Sequence, residues 1–197
     1  MRRVLYNQHS PTQSAVAWEW IPTSDELLII FSGKQPVGQP PVFNLLKGTR
    51  DWAVNKMYVR DLANTWYHGT HPGIGDGIDA LAAYLQQRID ERGGRRTVMV
   101  GGSMGGYAAV LLGCLTTTDH VLTFGPQTFI DRWNRLRIWD HRSIYEKKQL
   151  DRLPSAEPAY FDLRSVLAIT PRRPTIDIHI GGGNRIDRHH AWAVQAF

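Results

Sequence analysis

Residues 97–113 read Thr-Val-Met-Val-Gly-Gly-Ser-Met-Gly-Gly-Tyr-Ala-Ala-Val-Leu-Leu-Gly. A short apolar run, 98–100, leads into a Gly-x-Ser-x-Gly pattern, and Ala108, Ala109, Leu111 and Leu112 follow with no helix breaker before Gly113. The arrangement predicts a strand, a sharp turn carrying Ser103, and a helix. A serine hydroxyl is a poor nucleophile unless it is lifted from the backbone, set beside a base and placed near unpaired N–H groups. Gly101 and Gly105 let strand and helix approach closely around a strained Ser103. The amide of Met104, at the helix N-terminus, points to where negative charge would develop on a carbonyl oxygen. A glycine-rich phosphate-binding turn is the competing reading. The stretch lacks the Gly-Lys-Ser/Thr ending of a P-loop, however, and fits the dinucleotide spacing poorly.

Working outward, residues 25–31 form a buried-strand candidate that ends in Ser32-Gly33-Lys34. A Pro/Gly loop at 35–41 and a short helix at 42–47 should follow, then a strand at 56–59 ending at Arg60-Asp61. Val16, Trp18 and Trp20 alternate within 14–21 and predict an edge strand. Ile78, Leu81, Leu85 and Ile89 repeat at helical spacing over 78–92, closed by Gly93-Gly94. Residues 120–124 and 175–180 are further strands, and 130–168 predicts helical excursions over the site. Strands alternating with helices argue for an α/β protein: a three-layer, mostly parallel sheet with helices on both faces and right-handed crossovers. In such a sheet ligands gather beyond the carboxyl ends of the strands, where Ser32-Gly33-Lys34, Arg60-Asp61, Ser103, Gly125-Pro126 and the residues from Gly181 onward would converge.

With 197 residues, 42% of them hydrophobic, the chain is expected to be one domain over 1–197 with a real core. No stretch approaches membrane-spanning length, so a soluble, cytoplasmic protein without membrane contact is expected. A single cysteine, Cys114, makes no internal disulfide. The net charge of +5 is dispersed. Arg92, Arg95 and Arg96 surround a helix end, while Arg132, Arg135 and Arg137 share their segment with Asp131 and Asp140. Solvated surface explains this better than a nucleic-acid partner, which would need a concentrated field.

The order strand, Ser-Gly loop, strand, helix, Gly-x-Ser-x-Gly turn, strand, and a final strand followed by Gly-Gly-Gly-Asn-Arg-Ile-Asp resembles the α/β-hydrolase superfamily from about residue 25 onward. The serine turn is the specific part of the match; the rest is an order of elements. The resemblance implies a serine hydrolase acting on a small-molecule ester or thioester, with no cofactor. Ser103 would be the nucleophile, the amides of Met104 and of Gly33 or Lys34 the oxyanion hole, and Asp187 the acid. An acyltransferase with the same nucleophile fits equally, and a non-catalytic binding module is the rival reading.

The family order Ser, Asp, His calls for one more strand and a histidine beyond Asp187. The sequence is expected to lack that last strand, leaving a sheet edge that invites pairing with a second copy; either the chain is truncated before the family's histidine or the base comes from elsewhere. His190 lies three residues after Asp187 and would meet it across a first helical turn if Asp187 caps the helix. His189 is adjacent but on another face. His68 and His71, in Trp-Tyr-His-Gly-Thr-His-Pro-Gly, are further candidates for base or substrate contact. Asp131 is an alternative acid. No His-Glu-x-x-His or paired-cysteine spacing marks a metal site. Trp66, Tyr67, Trp133 and Trp139 line a cleft or fill the core, and Lys34 and Arg60 would favour an anionic substrate if they reach the pocket.

Overall fold

The computed structural model of the chain describes residues 14–36, 39, 42–92 and 94–195. The elements run β1 (Val16–Glu19), β2 (Glu26–Phe31), β3 (Asn55–Val59), β4 (Thr70–His71), β5 (Gly75–Asp76), α1 (Gly77–Arg92), β6 (Arg96–Gly102), α2 (Met104–Leu115), β7 (His120–Phe124), α3 (Arg132–Ile138), α4 (Ile144–Leu150), α5 (Leu163–Ile169), β8 (Thr175–His179) and α6 (Arg185–Val194). One six-stranded sheet has the order β1-β3-β2-β6-β7-β8. Its pairs are parallel except β1 with β3, so the antiparallel strand sits at the edge, as the alternation of Val16, Trp18 and Trp20 anticipates. β4 and β5 form a separate two-stranded ribbon.

Alternate residues of the central strands go to opposite faces. Leu27, Ile29, Phe31, Met57, Val59, Met99 and Val121 share one cluster with the apolar sides of α1, α2, α5 and α6. Leu81 and Leu85 of α1 are fully buried there, each contributing about 1.5–3 kcal/mol relative to exposure. The other face presents Leu28, Ile30, Tyr58 and Val100, which meet Phe43, Leu46 and Val54 from the segment before β3.

That segment is not the short helix expected over 42–47 but a succession of turns over 44–51. Leu45 adopts φ 58°, which no α-helix accommodates. The buried Lys56 ammonium also draws the carbonyls of Thr49 (3.0 Å) and Trp52 (2.9 Å) toward the sheet while pairing with Glu19 at 2.9 Å. Beside these turns an apolar groove of about 410 Å³ runs along β2, β6 and β7. Gly93, expected in the α1 cap, lies outside the described residues. Among those described, no helix is long and apolar enough to cross a membrane.

α2 packs on the sheet backbone to backbone. A Cβ on Gly101 would fall into the Gly105 carbonyl, and one on Gly105 would fall into the carbonyl of Phe31 and within 2.9 Å of the Ser32 oxygen. Neither neighbour has a flexible side chain to move aside. Gly105→Ala is therefore expected to lower stability by about 3 kcal/mol or more, from overpacking that only a displacement of α2 relieves. Chemical denaturation checks this, and an unchanged midpoint would refute the close approach.

Candidate active site

Ser103 joins β6 to α2 with φ 53° and ψ −117°, a conformation L-residues rarely adopt. Its N–H donates to the carbonyl of Phe124 at the end of β7 (2.9 Å), and its carbonyl accepts from Tyr107 N (3.1 Å). The residue is exposed, and its hydroxyl makes no hydrogen bond among the described residues. The N–H groups of Gly33, Lys34 and Met104 have no protein acceptor among the described residues either. Gly33 abuts this turn, since a Cβ placed on it would lie 3.2 Å from the Gly102 oxygen.

Beneath the turn lies a loop whose role the sequence did not announce. After β3, Asn64, Trp66 and Tyr67 all take positive φ. The buried Asp61 carboxylate compensates this strain by accepting from the backbone of Ala63 (3.0 Å), Thr65 (2.6 Å) and Tyr67 (3.0 Å). Tyr67 then donates its hydroxyl to the Ser32 carbonyl (2.7 Å), and Trp66 its indole N–H to Gln127 (2.9 Å). The loops after β2, β3 and β7 are thereby tied together around Ser103. Trp66 and Tyr67 are buried, so they are core rather than the walls of an open cleft.

A charged cluster covers the carboxyl end of the sheet. Asp140 is fully buried as a side chain and accepts from Arg142 Nε (2.9 Å) and His190 Nε2 (3.1 Å). Burial pushes its carboxyl pKa up, but the His190 and Arg142 hydrogen bonds and the Lys147 charge together hold it well below the usual range. Arg142 Nη1 also binds Asp187 at 2.7 Å. Lys34 pairs with Glu146. The Lys147 ammonium is 4.9 Å from the centroid of the Trp66 ring, buried, and without a hydrogen-bond partner among the described residues. Burial, reinforced by the charges of Arg135 and Arg142, lowers its pKa to about 7.

Asp187 reaches this region, but not as a cap. Asn184 caps α6, accepting from Ile186 N (3.1 Å) and Asp187 N (3.2 Å), and returns its amide N–H to Asp187 Oδ2 (2.6 Å). Asp187 lies against Gly125, whose added Cβ would come within 3.3 Å of Oδ2. Asp187 and His190 are not joined. His190 Nδ1 accepts from Thr128 N–H (3.0 Å) while Nε2–H goes to Asp140, so both ring nitrogens are engaged and burial keeps the ring neutral.

Among the described residues, none of the other candidate bases, His68, His71 and His189, hydrogen-bonds the Ser103 hydroxyl. His68 Nε2 donates to Tyr107 Oη (2.9 Å), whose own proton goes to the Tyr160 carbonyl, and burial with nearby His71 lowers its pKa to about 4. His71 Nε2 bonds the Tyr67 carbonyl, and His189 meets the edge of Trp192. Asp131 caps α3, and Arg60 is buried over Phe43. Sequence reasoning placed Asp61 at a strand end without giving it a role and missed the cluster of Asp140, Arg142 and Lys147, because a single charged residue carries no periodic mark of burial.

No family model matches the chain, and no curated protein matches it. Solved structures do. The capsule O-acetyltransferase of Neisseria meningitidis serogroup A superposes with TM-score 0.69 at 14% identity, over 92% of this chain and 77% of that one. Esterase B from Lactobacillus rhamnosis gives 0.61 at 15%, over 93% and 71%. The S-formylglutathione hydrolase of Staphylococcus aureus gives 0.54 at 10%, over 87% and 70%. The chain has an α/β-hydrolase-type fold. Ser103 lies at the strand-to-helix turn of that fold, between β6 and α2.

The Lys147 environment sets a pH dependence. Its folded pKa lies below the unfolded value, so from about pH 7 to about pH 10 the unfolded chain holds a proton the folded chain has released. Stability from this group therefore rises with pH in that window, by up to about 1.4 kcal/mol per unit. Lys147→Met should flatten the rise in denaturation curves taken across the window. Parallel pH profiles for both proteins would show that the amine is not desolvated.

Proposed function

We propose that this protein is an acyl-transferring serine enzyme that forms an acyl-enzyme on Ser103 from a small ester or thioester and passes the acyl group to water or an alcohol. The observation that carries the reading is the exposed Ser103 at φ 53°, raised between β6 and α2 beside three amides without acceptors among the described residues. Ser103 Oγ attacks the carbonyl carbon, and its proton passes to the leaving alcohol or thiol as the C–O or C–S bond breaks. Attack by water or an acceptor hydroxyl then frees the serine. The amides of Met104 and of Gly33 or Lys34 hold the oxyanion of each tetrahedral intermediate.

Asp187, fixed by Arg142 and Asn184 beside Gly125, is the acid of this scheme. It is suited to orient an imidazole brought to Ser103. His190 serves instead as a neutral pin between Asp140 and Thr128. The fold's neighbours support both outcomes of the acyl-enzyme, since they include two kinds of ester-cleaving enzyme and an O-acetyltransferase that was also solved with CoA.

Incubation with a fluorophosphonate should add one phosphonyl group to the chain, located at Ser103 by peptide mass spectrometry. Ser103→Ala should remove both the label and any turnover on panels of small esters and acyl-CoA thioesters. Labelling and turnover that persist in Ser103→Ala would refute the assignment. His190→Gln should leave the label in place and lower the melting temperature, whereas loss of labelling at full stability would return His190 to the chemistry.

A further inference from the structure

Residues 132–149 are built inside out. The side chains turned inward from α3 and α4 include Arg135 and Lys147, both buried. Four large apolar side chains face water, Trp133 and Trp139 at 74% exposed, Tyr145 at 78% and Leu136 at 47%, while Ile138 and Ile144 are half-buried. Among them stand the exposed cations Arg132, Arg137 and Lys148, with the Arg132 guanidinium 5.9 Å from the Trp133 ring centroid. The acids are withdrawn. Asp140 is buried, Glu146 is held by Lys34, and Asp131 caps α3. The next exposed acid, Asp151, follows the end of α4.

Tryptophans exposed at close spacing mark a surface that binds something. We propose that the outward face of residues 132–149 docks on the surface of a bilayer containing anionic lipid. Indole and phenol rings settle at headgroup depth with their polar atoms in water, and an aliphatic side chain such as Leu136 reaches the acyl boundary. Arginine and lysine stems lie along the same apolar layer while their charges meet lipid phosphates. A single-stranded polyanion would use the cations and ring faces but leave Leu136 in water, so it matches only half of the surface. The sequence suggested no membrane contact because it holds no spanning stretch; a peripheral surface needs none. The pairs Lys34–Glu146 and Arg142–Asp187 tie this face to the loops around Ser103, but docking does not depend on what Ser103 does.

The test is co-sedimentation of the full chain with phosphatidylcholine vesicles and with mixed phosphatidylcholine–phosphatidylglycerol vesicles. Binding is expected to the mixed vesicles, weakened by salt, and weak or absent on phosphatidylcholine alone. The double variant Trp133→Ala/Trp139→Ala should lose at least about tenfold in apparent affinity, and Arg132→Gln/Arg137→Gln about fivefold or more with a shallower salt dependence. Unchanged circular dichroism melts would show that both variants are folded, as the exposure of these four residues requires. Failure to bind either vesicle overturns the proposal. So does equal binding to both vesicles, or displacement from mixed vesicles by single-stranded DNA at comparable affinity. A solution dimer dissolved by the tryptophan variant would reassign the face to a second copy.

Discussion

The contact between the backbone of α2 and the carbonyl ends of β2 and β6 is the constraint on which the rest of the molecule depends. With no side chain between them, Gly101 and Gly105 bring the helix N-terminus to the strand ends. The connecting residue then has no ordinary conformation left to adopt. Ser103 is driven to φ 53°, at a cost of about 1–3 kcal/mol. Its N–H bond to Phe124 helps to hold it there, as does a helix whose residues 107–112 are fully buried. The strain and the exposure of the hydroxyl therefore have one origin. A looser strand-to-helix turn would relieve the backbone and lower the serine into the surface.

A second tier of structure is electrostatic. The excursion between β7 and α5 joins the sheet end through Asp140, Arg142, Asp187 and Lys34–Glu146 as well as through the buried Ile130 and Leu150. Burying charge costs several kcal/mol per ion unless hydrogen bonds complete each group. Asp140 meets that condition with His190 and Arg142, while Lys147, buried over an indole face and near the charges of Arg135 and Arg142, relaxes by weakening its hold on its proton. The price appears on the outer surface: with Arg135 and Lys147 taking buried positions of α3 and α4 beside Leu150, Trp133, Trp139 and Leu136 are left facing water.

The legible parts of the sequence were those with a period or a steric signature. The parallel strands announced themselves as apolar runs, α1 by Ile78, Leu81, Leu85 and Ile89, and the Ser103 turn by glycines that sterics demand. The turns at 44–51 misled because Leu45 and Leu46 suit a helix. What opposes the helix is a lysine on a neighbouring strand, and no local pattern encodes that. Asp61 accepts from backbone only two, four and six residues ahead, yet nothing in that local stretch marks the left-handed Trp66-Tyr67 step it holds.

The pairing of Asp187 with His190 failed for a more instructive reason. Positions i and i+3 do share a helix face, but a shared face does not give two side chains a shared partner. Asp187 stands in the first turn of α6, where Asn184 and Arg142 occupy its oxygens and hold it against Gly125. One turn later His190 is already inside the protein, between a backbone N–H that requires an unprotonated nitrogen and a carboxylate that requires a protonated one. Those two demands fix its tautomer and use up its acid–base capacity, so a histidine so well satisfied is a poor candidate for moving protons. His68 is disfavoured on other grounds: its Nδ1 has no partner among the described residues, but its Nε2 proton is committed to Tyr107 and burial has lowered its pKa to about 4. Burial and complete hydrogen bonding, the usual marks of an important polar residue, here separate the residues that hold the site in shape from the exposed serine that would react.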